Sequence, residues 1–510
     1  MSAFQNKSRA LIVAHYHWRS GGVRRVIDAG IGALVKAGRF NHVILIGGEH
    51  SEDRWEADLA ARFGRIPLTV ICEPALRYFS EQRLAPQTVE RRCRSALERA
   101  IDSLEIERSL IWVHNLALAR NVPFGRALQG VGSRSGIPIA LHHHDFWFEN
   151  RWPRWREMLA AGVVGLEEAA CCCFLPDTRA AQIAINRFDA EYLNLPGRTW
   201  VPNPVSPSKR PGRRAIAATK RWIASELGDH APVWLCATRL LRRKNLAEGL
   251  LLTRWIQPDA WFVTTAGPSS AEEEQYGNQL IDAAKRHGWK ACFGLLAGRG
   301  GRHPAIEEIQ CAAEASMLTS VQEGFGLAFL EAARLQVPLI ARRLGNVQPD
   351  LDQLGVHVPH LYNELLIPLS LFDAKKEQRR RTAVWKKWRQ GIPLACRRFA
   401  APCPDLDATA EPFSRLTLEA QMEILRQDPK EAFSAALASN PWLKTLEPLQ
   451  PASLHNQIGQ ILGPQAFAGR ILSAVATLKR SARATEAAAV QSDLLHQRLR
   501  SEFLYPILMP

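Results

Sequence analysis

The stretch Ala315-Ser-Met-Leu-Thr-Ser-Val-Gln-Glu-Gly-Phe-Gly-Leu-Ala-Phe-Leu-Glu331 decides how the fold of this chain is interpreted. Its apolar start, Ala315–Thr319, predicts a buried strand, and Gly324 and Gly326 allow a tight turn before an apolar helix. A strand, a glycine-rich loop and a helix in this order direct the N–H groups of a helix start at an anion. The stretch therefore predicts a phosphate site in an α/β domain. The alternative is an ordinary glycine-rich turn closed by a capping glutamate.

Two carboxylates flank this glycine-rich loop. Glu331 follows Glu323 by eight residues and falls about one turn into the predicted helix. Because carboxylates repel phosphate, their natural partners beside a phosphate site are hydroxyl groups. A ligand with phosphates in the middle and hydroxyl groups at both ends meets this demand, and a nucleotide sugar is such a ligand.

A second cluster supplies the positive charge that a diphosphate requires. Arg239 ends the apolar run that begins at Val233, and Lys244 precedes the next predicted helix. Both cations are therefore expected at the carboxyl edge of the same parallel sheet as Glu323 and Glu331, where they would neutralise a diphosphate.

The loop around Lys244 contains further polar residues. Asn245 and Glu248 are spaced as a capping pair, which predicts a helix that begins at about Leu246. Arg242 and Arg243 are expected to be solvated.

Two sets of short apolar runs alternate with helical patterns and predict two doubly wound parallel sheets, separated by a linker with Pro202, Pro204, Pro207 and Pro211. Two such halves imply a cleft, with ligands outside the carboxyl ends of the strands. The predicted strands are Ala10–Ala14, His42–Ile46, Pro67–Ile71, Leu110–Val113, Pro138–Leu141, Cys171–Leu175, Val233–Ala237, Trp261–Thr265, Ala291–Leu296, Ala315–Thr319 and Pro338–Ala341. The predicted domains are an N-terminal acceptor-side domain (1–205), a nucleotide-sugar-binding domain (206–374), a basic helical segment that crosses back (375–428) and a helical extension (429–510).

Composition limits the class of protein. The 510 residues are 46% hydrophobic and 23% charged, which is a globular composition and excludes a disordered or collagen-like chain. The apolar run before His15 is only about six residues long, too short for a signal peptide, so we expect a cytoplasmic protein. The ten cysteines form no CxxC pair, and the triplet Cys171–Cys173, expected on a strand, is a poor metal or disulfide framework.

Arg239-x4-Lys244 followed by Glu323-x7-Glu331 resembles the retaining glycosyltransferases of the GT-B fold, family four in the sequence classification. The strand, EGFGL loop and helix of residues 315–345 are similar to the signature of that family, as is the glycine loop Ser20–Val23. Val201–Pro204 resembles its hinge motif, and Phe413-Ser414 resembles the end of its second domain. The resemblance covers residues 8–426. Thr238 before Arg239 and Gln336-Val337 before Pro338 depart from the family pattern.

The resemblance implies a role for each matching residue. Arg239 and Lys244 would hold the donor diphosphate, Glu331 the ribose and Glu323 the hydroxyl groups of the transferred sugar. His114 would be the active-site histidine near the anomeric carbon. Backbone amides of the donor loop and two N-domain glycines would approach the sugar and the phosphate: Gly324, Phe325, Gly326, Leu327, Gly21 and Gly22.

The reaction implied by the resemblance is a metal-independent hexosyl transfer from a UDP- or GDP-linked sugar, with retention at the anomeric carbon and no cofactor. The leaving diphosphate would help to deprotonate the acceptor, whose identity is unknown. Two alternatives are a non-catalytic nucleotide-sugar-binding protein and a nucleotide-sugar epimerase of the same fold.

His142-His143-His144-Asp145-Phe146-Trp147 ends the fifth predicted strand. Alternation places His142 and His144 on one side, yet no third metal ligand is evident, so no metal is predicted. Acceptor recognition is the interpretation, with His144 in the site, Asp145 bonding a hydroxyl group and Trp147 stacking on a sugar face.

The formal net charge of +15, from 65 basic and 50 acidic residues, favours an anionic ligand, an anionic membrane surface or nucleic acid. No nucleic-acid-binding module is recognisable, so nucleic acid is not an expected partner. A peripheral membrane contact stays an alternative for two segments, 150–156 and the basic run Lys375–Arg398 with Trp385 and Trp388. The commoner explanation of the basic run is a solvated helix.

Overall fold

The computed structural model describes residues 8–205, 209–268, 271–299, 303–454 and 458–509. Pro207 of the predicted linker lies outside these residues. By internal contacts the chain divides into two compact units. Unit 1 comprises Met1–Pro207, Arg389–Ala400 and Gln457–Arg500, and unit 2 comprises Ser208–Trp388, Ala401–Asn456 and Ser501–Pro510.

Strands and helices alternate along most of the chain. The strands are β1 (Ala10–Ala14), β2 (His42–Gly47), β3 (Leu68–Cys72), β4 (Leu110–His114), β5 (Ile139–His143), β6 (Ala180–Ala184), β7 (Thr199–Trp200), β8 (Val233–Cys236), β9 (Trp261–Thr264), β10 (Ala291–Cys292), β11 (Ala315–Leu318), β12 (Leu339–Arg342), β13 (Val356–His357), β14 (His360–Tyr362), β15 (Leu366–Pro368), β16 (Ala410–Pro412) and β17 (Ser453–Leu454). The helices are α1 (Gly22–Gly38), α2 (Trp55–Phe63), α3 (Pro86–Ile101), α4 (Val122–Ser135), α5 (Pro153–Ala160), α6 (Leu166–Phe174), α7 (Arg187–Tyr192), α8 (Arg213–Leu227), α9 (Leu246–Ile256), α10 (Ala271–His287), α11 (Ile306–Ala312), α12 (Leu327–Leu335), α13 (Gln348–Gln353), α14 (Ala374–Gly391), α15 (Leu418–Leu425), α16 (Pro429–Ala436), α17 (Ile458–Leu462), α18 (Pro464–Ala476) and α19 (Ala484–Arg498).

Unit 1 contains a seven-stranded parallel sheet in the order β3-β2-β1-β4-β5-β6-β7. Every residue of β1 is buried, as expected for a central strand covered by helices on both faces. The strand order reverses between β1 and β4, which is where doubly wound sheets bind ligands, beyond the carboxyl ends of the strands. His15 follows β1 and His114 ends β4, so both lie at this position.

Helices α18 and α19, from the C-terminal part of the chain, pack within unit 1. Phe467 of α18 is buried against α1 at Gly30, where a Cβ atom would lie only 2.4 Å from the phenyl ring. Gln491 of α19 accepts a hydrogen bond from the Trp147 indole at 3.4 Å and donates one to the Leu166 carbonyl at 2.7 Å. The helical extension predicted from residue 429 onward therefore supplies part of the core of unit 1.

The strand predicted at Cys171–Leu175 is wrong, because these residues belong mainly to α6. A short apolar run fits a buried strand and a buried helix equally well, and the first-turn residues Glu167 and Glu168 favour the helix. The sixth strand of the sheet is instead β6, and the sequence analysis predicts no strand at those residues. The cysteine triplet therefore lies on a helix, and all ten cysteines of the chain are free thiols.

Unit 2 contains a six-stranded parallel sheet in the order β10-β9-β8-β11-β12-β14, with small antiparallel pairs β13-β17 and β15-β16. Its strand order reverses between β8 and β11. The predicted strand Ala291–Leu296 is shorter than expected, because Gly294 adopts a φ of 86° and begins a turn. Two Rossmann-like parallel-sheet units and a helical C-terminal region confirm the fold class predicted from the sequence.

The two tryptophans of the basic helix α14 are buried and cannot contact a membrane. Trp385 and Trp388 are 5% and 0% exposed, and the Trp385 indole donates to the Ala401 carbonyl at 3.0 Å. The interpretation that this pair could contact a membrane is therefore wrong. None of the described helices combines the length and the apolar character that a membrane span requires.

Candidate functional site

Two strand ends in unit 2 bring a lysine and a glutamate together. Lys244 lies between β8 and α9, and Glu323 lies between β11 and α12, so both emerge where the strand order reverses. The Lys244 Nζ atom is 2.5 Å from the Glu323 Oε1 atom. Arg243, expected to be solvated, instead contacts the same carboxylate, with Nη1 3.0 Å from Oε2. The loop after β8 therefore supplies two cations to one carboxylate.

Glu323 is also held by Ser320 of its own loop, which contacts the carboxylate, and by Asn346 after β12, which contacts the backbone. Ser320 Oγ donates to Oε1 at 2.6 Å, and Asn346 Nδ2 donates to the Glu323 carbonyl at 2.7 Å. Burial alone would raise the pKa of Glu323, but Lys244 and Arg243 outweigh it and lower the pKa to about 2. Glu323 is therefore an ionised hydrogen-bond acceptor with a fixed orientation.

Arg239 stands apart from this contact. Its guanidinium is about half exposed, and Nη1 lies 3.3 Å from Oε1 of Glu273 on α10. Of the two predicted diphosphate ligands, Lys244 is thus the one that the structure joins to Glu323.

The glycine-rich loop shows why Gly326 is needed. Gly326 adopts a φ of 80°, and a Cβ atom there would lie 2.6 Å from Cγ1 of Val347. α12 begins at the next residue, Leu327, with Phe325 buried before it and Gly324 partly exposed. Glu331 lies on the second turn of α12 and is partly exposed. The first turn of a helix has N–H groups without intrahelical acceptors, so this loop has the geometry of an anion site.

Behind the loop lies a buried ion network that sequence reasoning missed. α9 begins at Leu246 as predicted, but Asn245 makes no side-chain cap, because its amide donates to the Glu248 carboxylate at 2.8 Å. Glu248 is fully buried and pairs with Arg342 at 2.5 Å, and the Tyr362 hydroxyl group donates to it at 2.5 Å. This network joins α9 to β12 and β14 and fixes the helix that follows Lys244. In the sequence, only Arg342 at the end of the apolar β12 run indicates such a network.

Histidines crowd the carboxyl edge of the sheet in unit 1. His114 Nδ1 lies 3.0 Å from His144 Nε2, and the rings of His142 and His144 stack with centroids 4.5 Å apart. All three are buried. Burial lowers the pKa of each, to about 4 for His144, and the neighbouring imidazoles lower the pKa of His114 further. At neutral pH the three rings are therefore uncharged.

His114 is the third histidine of the cluster, which the sequence did not reveal. One nitrogen atom from each of His114, His142 and His144 lies within 4.8 Å of the other two, a geometry that could hold a metal ion. The third group that was not evident in the sequence is therefore present in the sheet, and the prediction that no metal is bound stays a prediction. β4 and β5 are neighbours in the sheet, and their pairing sets His114 opposite His142.

The hydrogen bonds of His142 oppose metal binding through Nε2. The Trp112 indole donates to His142 Nδ1 at 3.3 Å, so the neutral ring carries its proton on Nε2. That Nε2 atom and His114 Nε2 are buried and have no hydrogen-bond partner among the described residues.

Asn115 fixes the loop that carries the predicted acceptor residues. It adopts a φ of 61°, and its Oδ1 accepts from the backbone N–H groups of His144 and Asp145 at 3.1 and 3.0 Å. Asp145 pairs with Arg151 at 3.0 Å. Asn115 was not predicted, although it directly follows His114 at the strand end.

The prediction that Trp147 stacks on a sugar is wrong. Its side chain is 0% exposed and packs against Trp152 and Trp155, with ring centroids 6.2 and 5.7 Å away. Because α19 covers this loop, the indole is part of the core and has no free face.

Gly21 and Gly22 lie at the start of α1. Both have extended or helical backbone that any residue could adopt, and a Cβ atom at either would meet nothing within 4 Å. The fold of unit 1 therefore does not itself require glycine there.

Helix α19 also forms ion pairs, one of them with the loop after β5. Arg498 of α19 is 5% exposed; Nη2 lies 2.7 Å from Glu149 Oε1 and also pairs with Asp189. Neither the pairing nor its partners, more than 300 residues away in sequence, was predicted.

No family model matches the chain. A curated relative, mannosylglucosyl-3-phosphoglycerate synthase of Petrotoga mobilis, is 22% identical over 379 residues, which are 72% of this chain and 70% of that protein. Among solved structures, Anabaena HepE in complex with UDP and glucose is 15% identical, with a TM-score of 0.49 over 70% of this chain and 86% of that one. Sucrose-phosphate synthase of Thermosynechococcus elongatus is 13% identical, with a TM-score of 0.48 over 96% of this chain and 99% of that one.

Proposed function

We propose that this protein is a glycosyltransferase that takes a hexosyl group from a UDP- or GDP-linked sugar and passes it to an acceptor. The observation that carries the proposal is the Lys244–Glu323 contact, which sets a cation and an ionised carboxylate side by side at the strand-order reversal of unit 2. The lysine can neutralise a diphosphate, and the carboxylate can accept a hydrogen bond from a sugar hydroxyl group. The curated relative, a synthase whose name describes a glycosylated product, supports the same class of reaction.

In this proposal unit 2 binds the donor. Lys244 and Arg239 neutralise the diphosphate, the start of α12 directs its N–H groups at the same oxygens, and Glu331 accepts from the ribose. The Glu323 carboxylate accepts from hydroxyl groups of the sugar. Cations and helix N–H groups stabilise the leaving diphosphate, so the proposed transfer proceeds without a metal ion.

Unit 1 would bind the acceptor beside His114. Its uncharged imidazole offers hydrogen bonds without adding charge near the anomeric carbon, and Asp145 offers a carboxylate to a hydroxyl group. Retention at the anomeric carbon belongs to the proposal, which assigns deprotonation of the acceptor to the leaving diphosphate. No membrane contact through Trp385 and Trp388 is included, because both are buried.

A thermal-shift panel with UDP, GDP, ADP and their common sugar conjugates tests the donor site. We expect one nucleotide series to raise the melting temperature, by an amount set by its concentration relative to Kd. Lys244→Ala and Arg239→Ala should abolish that shift, whereas Arg221→Ala, at an exposed position of α8, should preserve it. No shift with any nucleotide would overturn the proposal.

Turnover separates the proposal from its alternatives. A transferase releases nucleoside diphosphate and forms a glycoside, whose anomeric configuration NMR coupling constants would identify. A binding protein would release no nucleotide, and an epimerase would release no conjugate. Inversion of the anomeric centre would overturn the proposed retention and leave the transferase assignment intact.

A further inference from the structure

Two arginines share one glutamate at the carboxyl edge of the unit 1 sheet. Arg120 lies in the loop after β4, and Arg154 lies in the first turn of α5, after β5. Arg154 pairs with Oε1 of Glu157, and Arg120 Nη1 lies 3.9 Å from Oε2 of the same carboxylate. These strands also position His114 and His144, so the arginine pair belongs to the ligand-binding edge of the sheet.

The charges in this cluster do not cancel. Arg151, the third arginine nearby, is matched by Asp145 at 3.0 Å, so Glu157 alone faces Arg120 and Arg154. Burial lowers the pKa of Arg154 to about 10, and the charge of Arg120 is the next cause. One positive charge at this position therefore has no counter-charge among the residues that contact the pair.

Several donor and acceptor atoms of the cluster lack partners. The Nε atoms of Arg120 and Arg154 and the Oε2 atom of Glu157 are buried, and none has a hydrogen-bond partner within the described part of the chain. A guanidinium has five N–H donors, and Glu157 occupies few of the ten that the two arginines provide. Most N–H groups of the pair are therefore left for a ligand that accepts hydrogen bonds.

The pair is held in place and remains accessible. The Arg120 guanidinium carbon lies 4.3 Å from the centre of the Tyr78 ring, and the Tyr78 hydroxyl group is 2.8 Å from His17 Nε2. The arginine side chains are 23% and 16% exposed for Arg120 and Arg154, so a small ligand can reach them. Partial burial strengthens ion pairing with such a ligand, because solvent screens the charges less.

We propose that Arg120 and Arg154 bind an anionic group, a phosphate or a carboxylate, of the acceptor. The inference rests on the proposed function, since it names the chemical class of the acceptor. Paired guanidinium groups suit the oxygens of such anions because they form parallel N–H···O bonds. Glu157 contacts both arginines and therefore competes with the ligand for them.

The test is calorimetric titration of the full-length protein with inorganic phosphate, in the background Lys244→Gln, which weakens phosphate binding at the proposed donor site. We expect Arg120→Gln and Arg154→Gln each to weaken phosphate binding at least about tenfold. The control Arg134→Gln removes an arginine of α4 that is 56% exposed and paired with Glu98, and it should change nothing.

Glu157→Gln provides a test of opposite sign. Without the competing carboxylate both guanidinium groups are uncompensated, so phosphate should bind several-fold more tightly. A purely structural arginine pair would instead lose order with Glu157, and phosphate binding would stay the same or weaken. This variant keeps the inference testable if the arginine variants fail to fold.

Two further ligands identify the anionic group. Glycerol 3-phosphate carries only the phosphate and glycerate only the carboxylate, so the one whose affinity depends on Arg120 and Arg154 names the group. If neither the phosphate ligands nor glycerate binds, or if their affinities are indifferent to all three substitutions, the inference is overturned. Nucleotide binding by the wild-type protein is measured alongside, because its absence would overturn the proposed function instead.

Discussion

Lys244 Nζ lies 2.5 Å from Glu323 Oε1, and this contact joins the loop after β8 to the loop after β11. A cation and a carboxylate proposed for two different parts of the donor neutralise one another in the unliganded protein. Binding a diphosphate would divide Lys244 between two anions, and sugar hydroxyl groups would then take up the acceptor capacity of Glu323. The pair thereby keeps either group from being a buried, unmatched charge before the donor arrives.

The two carboxylates of the proposed donor site should respond differently to substitution. Glu331→Gln is expected to weaken binding of the nucleotide itself about tenfold, because a hydrogen-bond acceptor for the ribose is altered. Glu323→Gln should chiefly reduce the affinity difference between nucleotide sugar and free nucleotide. Titrations with both ligands measure this, with exposed Glu314→Gln as the control. Equal nucleotide affinity in all variants would contradict the ribose assignment.

The low pKa of Glu323 makes the stability of the protein sensitive to acid. The folded pKa of about 2 lies below the ordinary value of 4.5, so the folded state gains stability above pH 4.5 and loses it as the pH falls toward 2. The full contribution is about 3 kcal/mol at most. Denaturation between pH 6 and 2.5 should show a steeper loss in wild type than in Glu323→Gln. Parallel curves would show that the ion pair does not lower this pKa.

Helix α1 contains two glycines, Gly30 and Gly32, that together test whether α18 packs against α1. Gly30→Ala should destabilise the protein by about 1–3 kcal/mol, because the added methyl group overlaps the Phe467 ring. Gly32→Ala on the same helix meets nothing within 4 Å and should stabilise it by about 0.5–1 kcal/mol. Urea unfolding of both variants measures the difference. If the two variants are equally stable, α18 does not lie against Gly30.

Among the charged residues of the C-terminal helical region, Arg498 should contribute most to stability. Arg498→Met leaves Glu149 and Asp189 buried without their shared cation, so it should lower the free energy of unfolding by about 3–5 kcal/mol. Arg480→Met removes a partner of Glu486 that is 58% exposed, and its effect should stay within about 0.5 kcal/mol. Thermal unfolding compares the variants. A small effect at Arg498 would place α19 outside the stable core of unit 1.

Metal removal distinguishes two uses of the histidine cluster. Dialysis against EDTA should leave transferase activity unchanged, since the proposed transfer relies on protein cations. Added Zn²⁺ should not raise activity either, because the hydrogen bond from Trp112 keeps a proton on His142 Nε2 and so opposes a zinc ion at the cluster. Activity that is lost in EDTA and restored by Zn²⁺ would contradict the metal-independent mechanism and give the cluster a resident ion.

The sequence by itself determined the features that depend on near neighbours in the chain. The strand, glycine loop and helix of residues 315–331, the helix start after Lys244 and the two alternating sets of apolar runs were all predicted, because periodicity and turn residues act locally. The same local rule failed at Cys171–Leu175, where five apolar residues fit either type of element.

Only the tertiary structure decided which distant residues share a site. His114 joins His142 and His144 because β4 and β5 are adjacent in the sheet, and Glu323 meets Lys244 because β8 and β11 are. Trp147 looks like a binding residue in sequence, yet α19 buries it from more than 300 positions away. Such contacts follow from strand order and from how helices cover a sheet, and no local pattern of residues encodes either.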